Sequence, residues 1–419
     1  MPLRASDDAY SDVYYEAPVR VVVFSWRDIQ NPRAGGAERL TYEHLRRWAA
    51  AGHNVTLLTA RYAGVSDEQE IEGIRIVRRG GPYTVHIAAQ HWYRRRRPRP
   101  DVVVDEIHGL PFLALAYAGV PVVALIHEVA RDIWFSMYPP PVAVGGYAAE
   151  AAALRWYARN KVPFLVNSPS TAADLSAIGV ARANMVIAEP AIDRPWLEQL
   201  PTKETTPTLV YLGRLVRMKG VEDVIHALAQ VRRTLPECRL WILGAGAPLY
   251  EAALRGVAAE LDVGAAIQFM GRVDEEEKFR LLGRAHLLLH ASRHEGWGIN
   301  IMEANAMGTP AVAYNVPGLR DSVRGGQTGV LCRYGRVDEL AASAISLLQR
   351  TEDYQAMQRN AITWSTRFSW DVAAERSLGL LTSLAQSARL TGPTAPAYTR
   401  PENATVGCDP YGRPGQERE

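Results

Sequence analysis

The sequence predicts a two-domain α/β protein in which each domain is built on a doubly wound parallel sheet. Three observations lead to this prediction: short β-branched apolar runs alternate with helical patterns, the alternation restarts halfway along the chain, and 419 residues are too many for one hydrophobic core. Continuous apolar strands joined by helices indicate a parallel sheet covered on both faces. Two such sheets create a cleft at the carboxyl ends of their strands.

The first half of the chain contains six candidate strands separated by helical patterns. The clearest helical pattern is ERLTYEHLRRWAAAG (38–52), in which Gly52 is placed to end the helix. The predicted strands are VRVVVFS (19–25), NVTLLTA (54–60), IRIVRR (74–79), DVVVDE (101–106), VPVVALIH (120–127) and PFLVNS (163–168).

The second half repeats this organisation after a segment rich in proline and threonine at 189–208. We therefore predict domains at 1–190 and 191–370. Residues 391–419 are rich in proline, glycine and charge, so a disordered tail is expected there. The predicted strands of this half are TLVYLG (208–213), CRLWILG (238–244), AIQFMG (266–271), HLLLHAS (286–292), PAVAYN (310–315) and GVLC (329–332).

Composition limits the classes of protein that the chain can belong to. Hydrophobic residues make up 47% and charged residues 22%, which is typical of a globular enzyme, and a net charge of +2 provides no global field for nucleic acid. Cys238, Cys332 and Cys408 are scattered and do not predict disulfides. The polar N-terminus and the lack of any run of eighteen apolar residues predict a cytoplasmic protein without a spanning helix.

Two loops at predicted strand ends are suited to phosphate. Gly35 and Gly36 precede a helix after the first strand, where backbone N–H groups and the helix dipole favour an anion, although a plain capping turn explains them equally well. Arg214 and Lys219 follow the first strand of the second half in GRLVRMKG. A guanidinium fork and an ammonium suit a diphosphate, and ordinary solvated surface is the alternative.

Two glutamates, Glu295 and Glu303, flank a glycine-containing turn in EGWGINIMEANAMG (295–308). In one continuous helix, eight positions at about 100° each would leave the carboxylates roughly 80° apart, so they would share no face. Unless Glu303 is an ordinary surface residue of a helix, the turn must bring the two acids to a common site.

Together these motifs resemble the retaining glycosyltransferases of family 4, over roughly residues 19–388. The segment with the two glutamates resembles the family's E-x7-E motif, GRLVRMKG its Arg and Lys pair, and AGGAER its N-terminal glycine loop. The resemblance implies the GT-B fold, with two facing Rossmann-like domains and an interdomain cleft. The first domain would be on the acceptor side and the second would bind the nucleotide sugar. FSWDVAAERSLGLL resembles the C-terminal helix that crosses back onto the first domain, here 371–388.

The resemblance also implies roles for individual residues. Glu295 would contact the donor sugar hydroxyls and Glu303 the ribose, while His127, in ALIHE, would face the sugar. Backbone N–H groups of the turn GWGIN would bind the phosphates. The predicted catalytic residues are His127, Arg214, Lys219 and Glu295, and the further donor-binding residues are Gly35, Gly36, Val273, Gly296, Gly298, Ile299, Asn300 and Glu303.

The predicted function is transfer of a hexose, with retention, from a nucleotide diphosphate sugar to an acceptor hydroxyl in glycolipid, polysaccharide or glycoconjugate biosynthesis. We expect no cofactor and no metal, because no D-x-D motif ends a strand and His290 and His294 are placed on a strand and in a loop. A nucleotide-sugar 2-epimerase of the same fold and a non-catalytic GT-B binding module remain alternatives. An NAD oxidoreductase is disfavoured because the glycine fingerprint is missing.

The arginine run is a separate feature. HWYRRRRPRPD places five arginines within 94–99, beside Trp92 and Tyr93. A solvated helix end is one interpretation and a peripheral contact with an anionic membrane on the cytoplasmic face is the other. Nucleic acid is disfavoured because no reading module accompanies the arginines. The resemblance implies an acceptor that is a saccharide or is linked to a lipid.

Overall fold

The computed structural model describes residues 17–193 and 199–391, and within them the chain forms two sheets. The strands of the first sheet are β1 (Arg20–Phe24), β2 (Asn54–Thr59), β3 (Glu68–Ile71), β4 (Ile74–Arg78), β5 (Val102–Ile107), β6 (Val122–Ile126), β7 (Phe164–Val166) and β8 (Met185–Ile187). The strands of the second are β9 (Thr208–Leu212), β10 (Arg239–Leu243), β11 (Ile267–Gly271), β12 (Leu287–His290), β13 (Ala311–Tyr314) and β14 (Gly329–Cys332).

Helices connect the strands and cover both sheets. Those of the first half are α1 (Gly36–Ala50), α2 (Val85–Arg95), α3 (Ile133–Met137), α4 (Pro140–Arg159) and α5 (Pro169–Ile178). Those of the second half are α6 (Val221–Thr234), α7 (Pro248–Glu260), α8 (Glu275–Arg284), α9 (Ile299–Ala306), α10 (Leu319–Ser322), α11 (Val337–Gln349), α12 (Thr351–Ser365) and α13 (Trp370–Thr391).

All twelve predicted strands are present, and two further strands were missed. The antiparallel edge strand β3 has the sequence EQEI, which is polar and carries no buried alternation, and β8 has only three residues. Such short edge strands are specified by pairing with a neighbour, so a pattern search along the chain does not find them.

The strand orders explain where a cleft forms. In the described residues the orders are β3-β4-β2-β1-β5-β6-β7-β8 and β11-β10-β9-β12-β13-β14, so the direction of winding reverses between β1 and β5 and between β9 and β12. Loops leave these neighbouring strands in opposite directions and open a crevice at their carboxyl ends. Both crevices therefore lie where the predicted site motifs occur.

Each sheet packs helices on both faces. In β1, Val21 and Val23 pack with α1 and α13, whereas Val22 and Phe24 pack with α2, α4 and α5. The last helix, α13, contacts α1, β5 and β8 of the first half, and its Ser377 accepts a hydrogen bond from Trp48 Nε1 at 3.0 Å. The chain thus ends its described part on the domain where it began. The disordered tail predicted for 391–419 lies, beyond Thr391, outside the described residues.

Candidate functional site

The loops after β9 and β12 are in direct contact. Gly220 has φ +63°, and a Cβ at this position would lie 2.1 Å from the carbonyl oxygen of Ala291. The Arg293 N–H donates to the Met218 carbonyl at 2.9 Å. Only glycine permits this approach, which places Lys219 of the first loop beside Glu295 of the second.

Lys219 and Glu295 form a nearly buried ion pair. Lys219 Nζ lies 2.5 Å from Glu295 Oε1, and the two side chains are only 17% and 14% exposed. Ser292 Oγ donates to the same carboxylate at 2.8 Å. Burial alone would raise the pKa of Glu295, but Lys219 and neighbouring donors lower it to about 2. Glu295 is therefore ionised at neutral pH and can only accept hydrogen bonds.

The turn between the two glutamates begins α9. Gly298 has φ +90° and precedes Ile299 at the helix N-terminus. Asn300 anchors the turn, since its Nδ2 donates to the Leu212 carbonyl at 2.7 Å and its side chain contacts His290 Nε2. Burial lowers the pKa of His290 to about 4, so this imidazole is neutral at pH 7. These contacts fix the N-terminus of α9 beside the carboxyl ends of β9 and β12, the strands that precede Lys219 and Glu295.

Glu303 lies on α9, as expected, but it already has cationic partners. Lys278 Nζ lies 2.7 Å from Glu303 Oε1 and 2.8 Å from Glu275. Arg39 of α1 approaches Glu303 Oε1 at 3.9 Å and Glu275 at 3.4 Å, so this network connects the two halves of the protein. Both contacts to Glu303 involve Oε1, which leaves Oε2 for another donor.

His127 follows β6 in a buried polar cluster of the first half. Its Nε2 lies 3.0 Å from Glu106 Oε1 and 3.0 Å from Thr41 Oγ1, and His108 Nε2 contacts the same Glu106 oxygen at 3.0 Å. Burial favours the neutral acid, but His108 and His127 outweigh it and lower the pKa of Glu106. The same carboxylate raises the pKa of His108 despite burial. In the described part of the chain, His127 Nδ1 is buried without a hydrogen-bond partner.

The two crevices face each other at close range. A Cβ on Gly296 would lie 2.6 Å from the His127 carbonyl oxygen and 2.9 Å from Asn167 Nδ2. The loop between β12 and α9 therefore packs directly against the end of β6. The structure thus brings His127 of the first half and Gly296 of the second half together at the cleft.

The glycine loop before α1 forms the other wall of this cleft. A Cβ on Gly35 would lie 3.8 Å from Arg214 Nε, and one on Gly36 would lie 3.8 Å from Ile299 Cδ1. The Gly35 N–H is used within its own loop, because it donates to Glu38 Oε2 at 2.8 Å. Glu38 also pairs with Arg27 at 3.3 Å. The Gly35 N–H is therefore not free for a phosphate oxygen. The loop instead shapes the wall of the cleft beside the Arg214 guanidinium.

Arg214 and Val273 complete the predicted set. Arg214 is exposed, and across residues 17–193 and 199–391 no carboxylate lies within ion-pair distance of its guanidinium. Val273 follows β11 and packs, half-buried, against the core of the second half. Arg214 is therefore available to bind an anion. Val273 contributes an apolar side chain to the surface that follows β11.

Five residues of the site were missed in the sequence: Arg39, Thr41, Glu106, Lys278 and Ser292. Glu106 had a usable signal, because Asp105 and Glu106 follow an apolar run in a predicted buried strand, and a buried acid needs a partner. No sequence signal indicated Lys278 or Arg39, because their partner Glu303 is distant in sequence and lies on another helix.

Two structural findings bear on metals and membranes. Among the described residues, no group of three or more His, Cys, Asp or Glu side chains is arranged to hold a metal ion. None of the helices in that part of the chain combines the length and apolar character required to cross a bilayer.

Comparison with known proteins matches both halves. A family model described as Glycosyltransferase Family 4 matches residues 34–194, and one described as Glycosyl transferases group 1 matches residues 193–364. The glycogen synthase of Mycobacterium tuberculosis (strain CDC 1551 / Oshkosh) is 30% identical over 415 residues, covering 90% of this chain and 98% of that protein.

Solved structures share the fold at low sequence identity. Sucrose-phosphate synthase from Thermosynechococcus elongatus superposes with a TM-score of 0.71 at 19% identity, covering 87% of this chain and 98% of that one. Anabaena Alr3699/HepE in complex with UDP and glucose superposes with a TM-score of 0.67 at 16% identity, covering 87% and 100% of the two chains. The expected GT-B fold is thereby confirmed.

Proposed function

Since this chain belongs to the group 1 glycosyltransferases of family 4, retaining enzymes that use nucleotide sugars, we propose that its cleft transfers a hexose from a nucleotide diphosphate donor held by Arg214, Lys219, Glu295 and Glu303. The observation that carries these assignments is the Lys219 and Glu295 pair at the switch point of the second sheet, directly opposite His127. No cofactor or metal ion takes part in this proposal.

The donor diphosphate is bound by cations and by the N-terminus of α9. Lys219 carries three N–H donors, so it can keep its contact with Glu295 and still donate to a phosphate oxygen. Arg214, which is exposed, adds a fork that fits two phosphate oxygens. The turn from Gly296 to Asn300, including Gly298 and Ile299, directs the positive end of the helix toward the same anion.

The ends of the donor are held by the two glutamates. Glu295, ionised and fixed by Lys219 and Ser292, accepts hydrogen bonds from sugar hydroxyls. Glu303 accepts the ribose hydroxyls through Oε2, because Lys278 occupies Oε1. His127 orients the sugar from the opposite wall, and contacts of its Nε2 with Glu106 and Thr41 hold its ring in position. Val273 lines the base end, and Gly35 and Gly36 allow the donor to approach the first half.

The reaction follows from this arrangement. The bond between the anomeric carbon and the diphosphate oxygen breaks, and the leaving oxygen keeps the electron pair. Arg214 and Lys219 stabilise the charge that develops there. The acceptor oxygen attacks the same face, and its proton passes to a diphosphate oxygen, so the configuration is retained without a covalent intermediate.

A donor panel tests the assignment. UDP-, GDP- and ADP-hexoses are added to the wild-type protein and to Arg214→Ala, and thermal unfolding is recorded. A ligand at a hundred times its Kd stabilises the fold by about 2.7 kcal/mol, so one nucleotide should raise the wild-type melting temperature. We expect Arg214→Ala to bind that nucleotide about tenfold more weakly and to melt normally without ligand. Equal ligand shifts in the two proteins would remove Arg214 from the site.

On the acceptor side we propose a lipid-linked or saccharide acceptor and a peripheral contact with the anionic cytoplasmic membrane. The support is an apolar surface on the first half, which we call the α3 surface. It continues toward the cleft, because α3 contacts the turn that carries Lys219. The α3 surface consists of the exposed apolar residues Phe135 and Met137 of α3 and Val142, Val144 and Tyr147 of α4. Exposed apolar side chains on two helices that contact each other favour an interface with lipid.

Vesicle sedimentation tests the α3 surface. Phe135 and Met137 are 50% and 57% exposed, so a Phe135→Ser, Met137→Ser double variant should fold normally. We expect it to partition onto anionic vesicles about tenfold more weakly, because two apolar side chains no longer enter the interface. The control is Leu249→Ser, Val372→Ser, which removes exposed apolar residues elsewhere. Equal sedimentation of the two double variants would contradict the proposal.

A further inference from the structure

A cavity of about 580 Å³ lies beside α2 in the first half, and arginines line it. Its six arginines come from three parts of the chain. Arg95, Arg96 and Arg97 belong to the run at the end of α2, Arg75 and Arg79 lie on β4 and just after it, and Arg61 follows β2. Half of the arginines that line the cavity therefore come from segments outside the arginine run, and folding brings them beside it.

The positive charge of this cavity is only partly neutralised. Asp67 pairs with Arg61, and Glu68 pairs with Arg75 at 2.8 Å and with Arg79. Around the cavity, in the described residues, no carboxylate lies within 4.0 Å of Arg95, Arg96 or Arg97. Six guanidinium groups thus face two carboxylates, and the excess charge is concentrated on the α2 side.

Contacts with neighbouring side chains fix the Arg96 guanidinium, one of the unpaired charges of the cavity. Its guanidinium is half-buried, lies 4.9 Å from the centre of the Trp92 ring, and donates to Thr56 Oγ1 at 3.2 Å. Burial and the neighbouring Arg75 lower the pKa of Arg96, so the surroundings oppose its charge. An anion in the cavity would relieve this repulsion.

We propose that this arginine-lined cavity binds the phosphate groups of a di- or polyphosphate or of a phosphomonoester. Guanidinium forks match phosphate oxygens in pairs, and the volume is in the range of small-ligand sites. The site is separate from the transfer cleft, because none of the cavity's lining residues belongs to the donor site. A test of phosphate binding in this cavity is therefore independent of a test of the proposed reaction.

Calorimetry with inorganic tripolyphosphate tests the cavity itself. All titrations use an Arg214→Ala background, which weakens binding of the probe at the donor site. Arg95→Ser, Arg97→Ser removes two exposed arginines of the cavity, and Arg94→Ser, Arg155→Ser removes two exposed arginines outside it. We expect one bound tripolyphosphate, affinity about tenfold lower in the cavity variant, and unchanged affinity in the control. Equal affinities in the two double variants would overturn the proposal.

Vesicles identify the source of the phosphate. Phosphatidic acid exposes a phosphomonoester, whereas phosphatidylserine is anionic without one. Stronger sedimentation on phosphatidic acid, lost in the cavity variant and kept in the control, would support the cavity with a lipid headgroup as its ligand. Binding of tripolyphosphate alone would support it with a soluble phosphate compound as the ligand. If neither probe binds in a manner that depends on Arg95 and Arg97, the cavity is not a phosphate site.

Discussion

Replacing Lys219 with alanine is expected to lower kcat/KM for the donor by about 10²- to 10³-fold, which is the usual cost of removing one donor that stabilises a developing oxyanion. The side chain has two tasks in the cleft. It neutralises the diphosphate, and it holds Glu295, 2.5 Å away, in the ionised form that accepts sugar hydroxyls. Steady-state kinetics with the donor found in the thermal panel measures the loss.

Two variants separate this effect from simple unfolding. Arg217→Ala removes an exposed cation from the same turn and should retain nearly full activity. Lys219→Ala leaves a buried carboxylate unpaired, which costs about 1 to 3 kcal/mol of stability. Adding Glu295→Gln removes that charge, so the double variant should regain stability without regaining activity. A Lys219→Ala enzyme with wild-type kcat/KM would exclude this residue from the chemistry.

Gly296→Ala is expected to lower transfer by about 10²-fold while the second half still binds nucleotide. The new Cβ would lie 2.6 Å from the His127 carbonyl oxygen and 2.9 Å from Asn167 Nδ2, so the walls of the cleft must separate. A displacement of about 1 Å at a reacting centre is enough for a loss of this size. Kinetics measures the turnover, and the nucleotide-induced thermal shift measures the binding.

A matched glycine provides the control for this variant. Gly256 lies in α7, and a Cβ there would meet nothing within 4 Å. Gly256→Ala should be as active as the parent and slightly more stable, because alanine favours a helix interior by about 1 kcal/mol over glycine. Full transfer activity in Gly296→Ala would show that the contact across the cleft is not needed for catalysis.

Much of the architecture could be predicted because it is encoded locally. Apolar runs such as VRVVVFS become buried strands wherever a sheet is covered on both faces, and β1 confirms this. The turn before α9 was also readable, since Gly298 adopts the positive φ that favours glycine. Glu295 in a loop and Glu303 on the following helix agree with the E-x7-E resemblance.

The partners of the site residues could not be read in this way. The sequence shows Lys219 and Glu295 76 positions apart, and only the packing of Gly220 on Ala291 makes them an ion pair. Glu303 was predicted to contact the ribose, but no pattern in the sequence indicated that Lys278 and Arg39 lie beside it. Polar contacts of this kind depend on the register and tilt of elements distant in sequence.

The sequence by itself determined the family, the two sheets and the residue types at the cleft, because strand burial, helix periodicity and glycine turns are properties of short segments. Only the tertiary structure decided which charges meet. It joined the arginine run to Arg61, Arg75 and Arg79 in one cavity, and it brought Gly296 against His127. The physical reason is that electrostatic and contact energies depend on distances in space, which the folded chain sets between segments far apart in sequence.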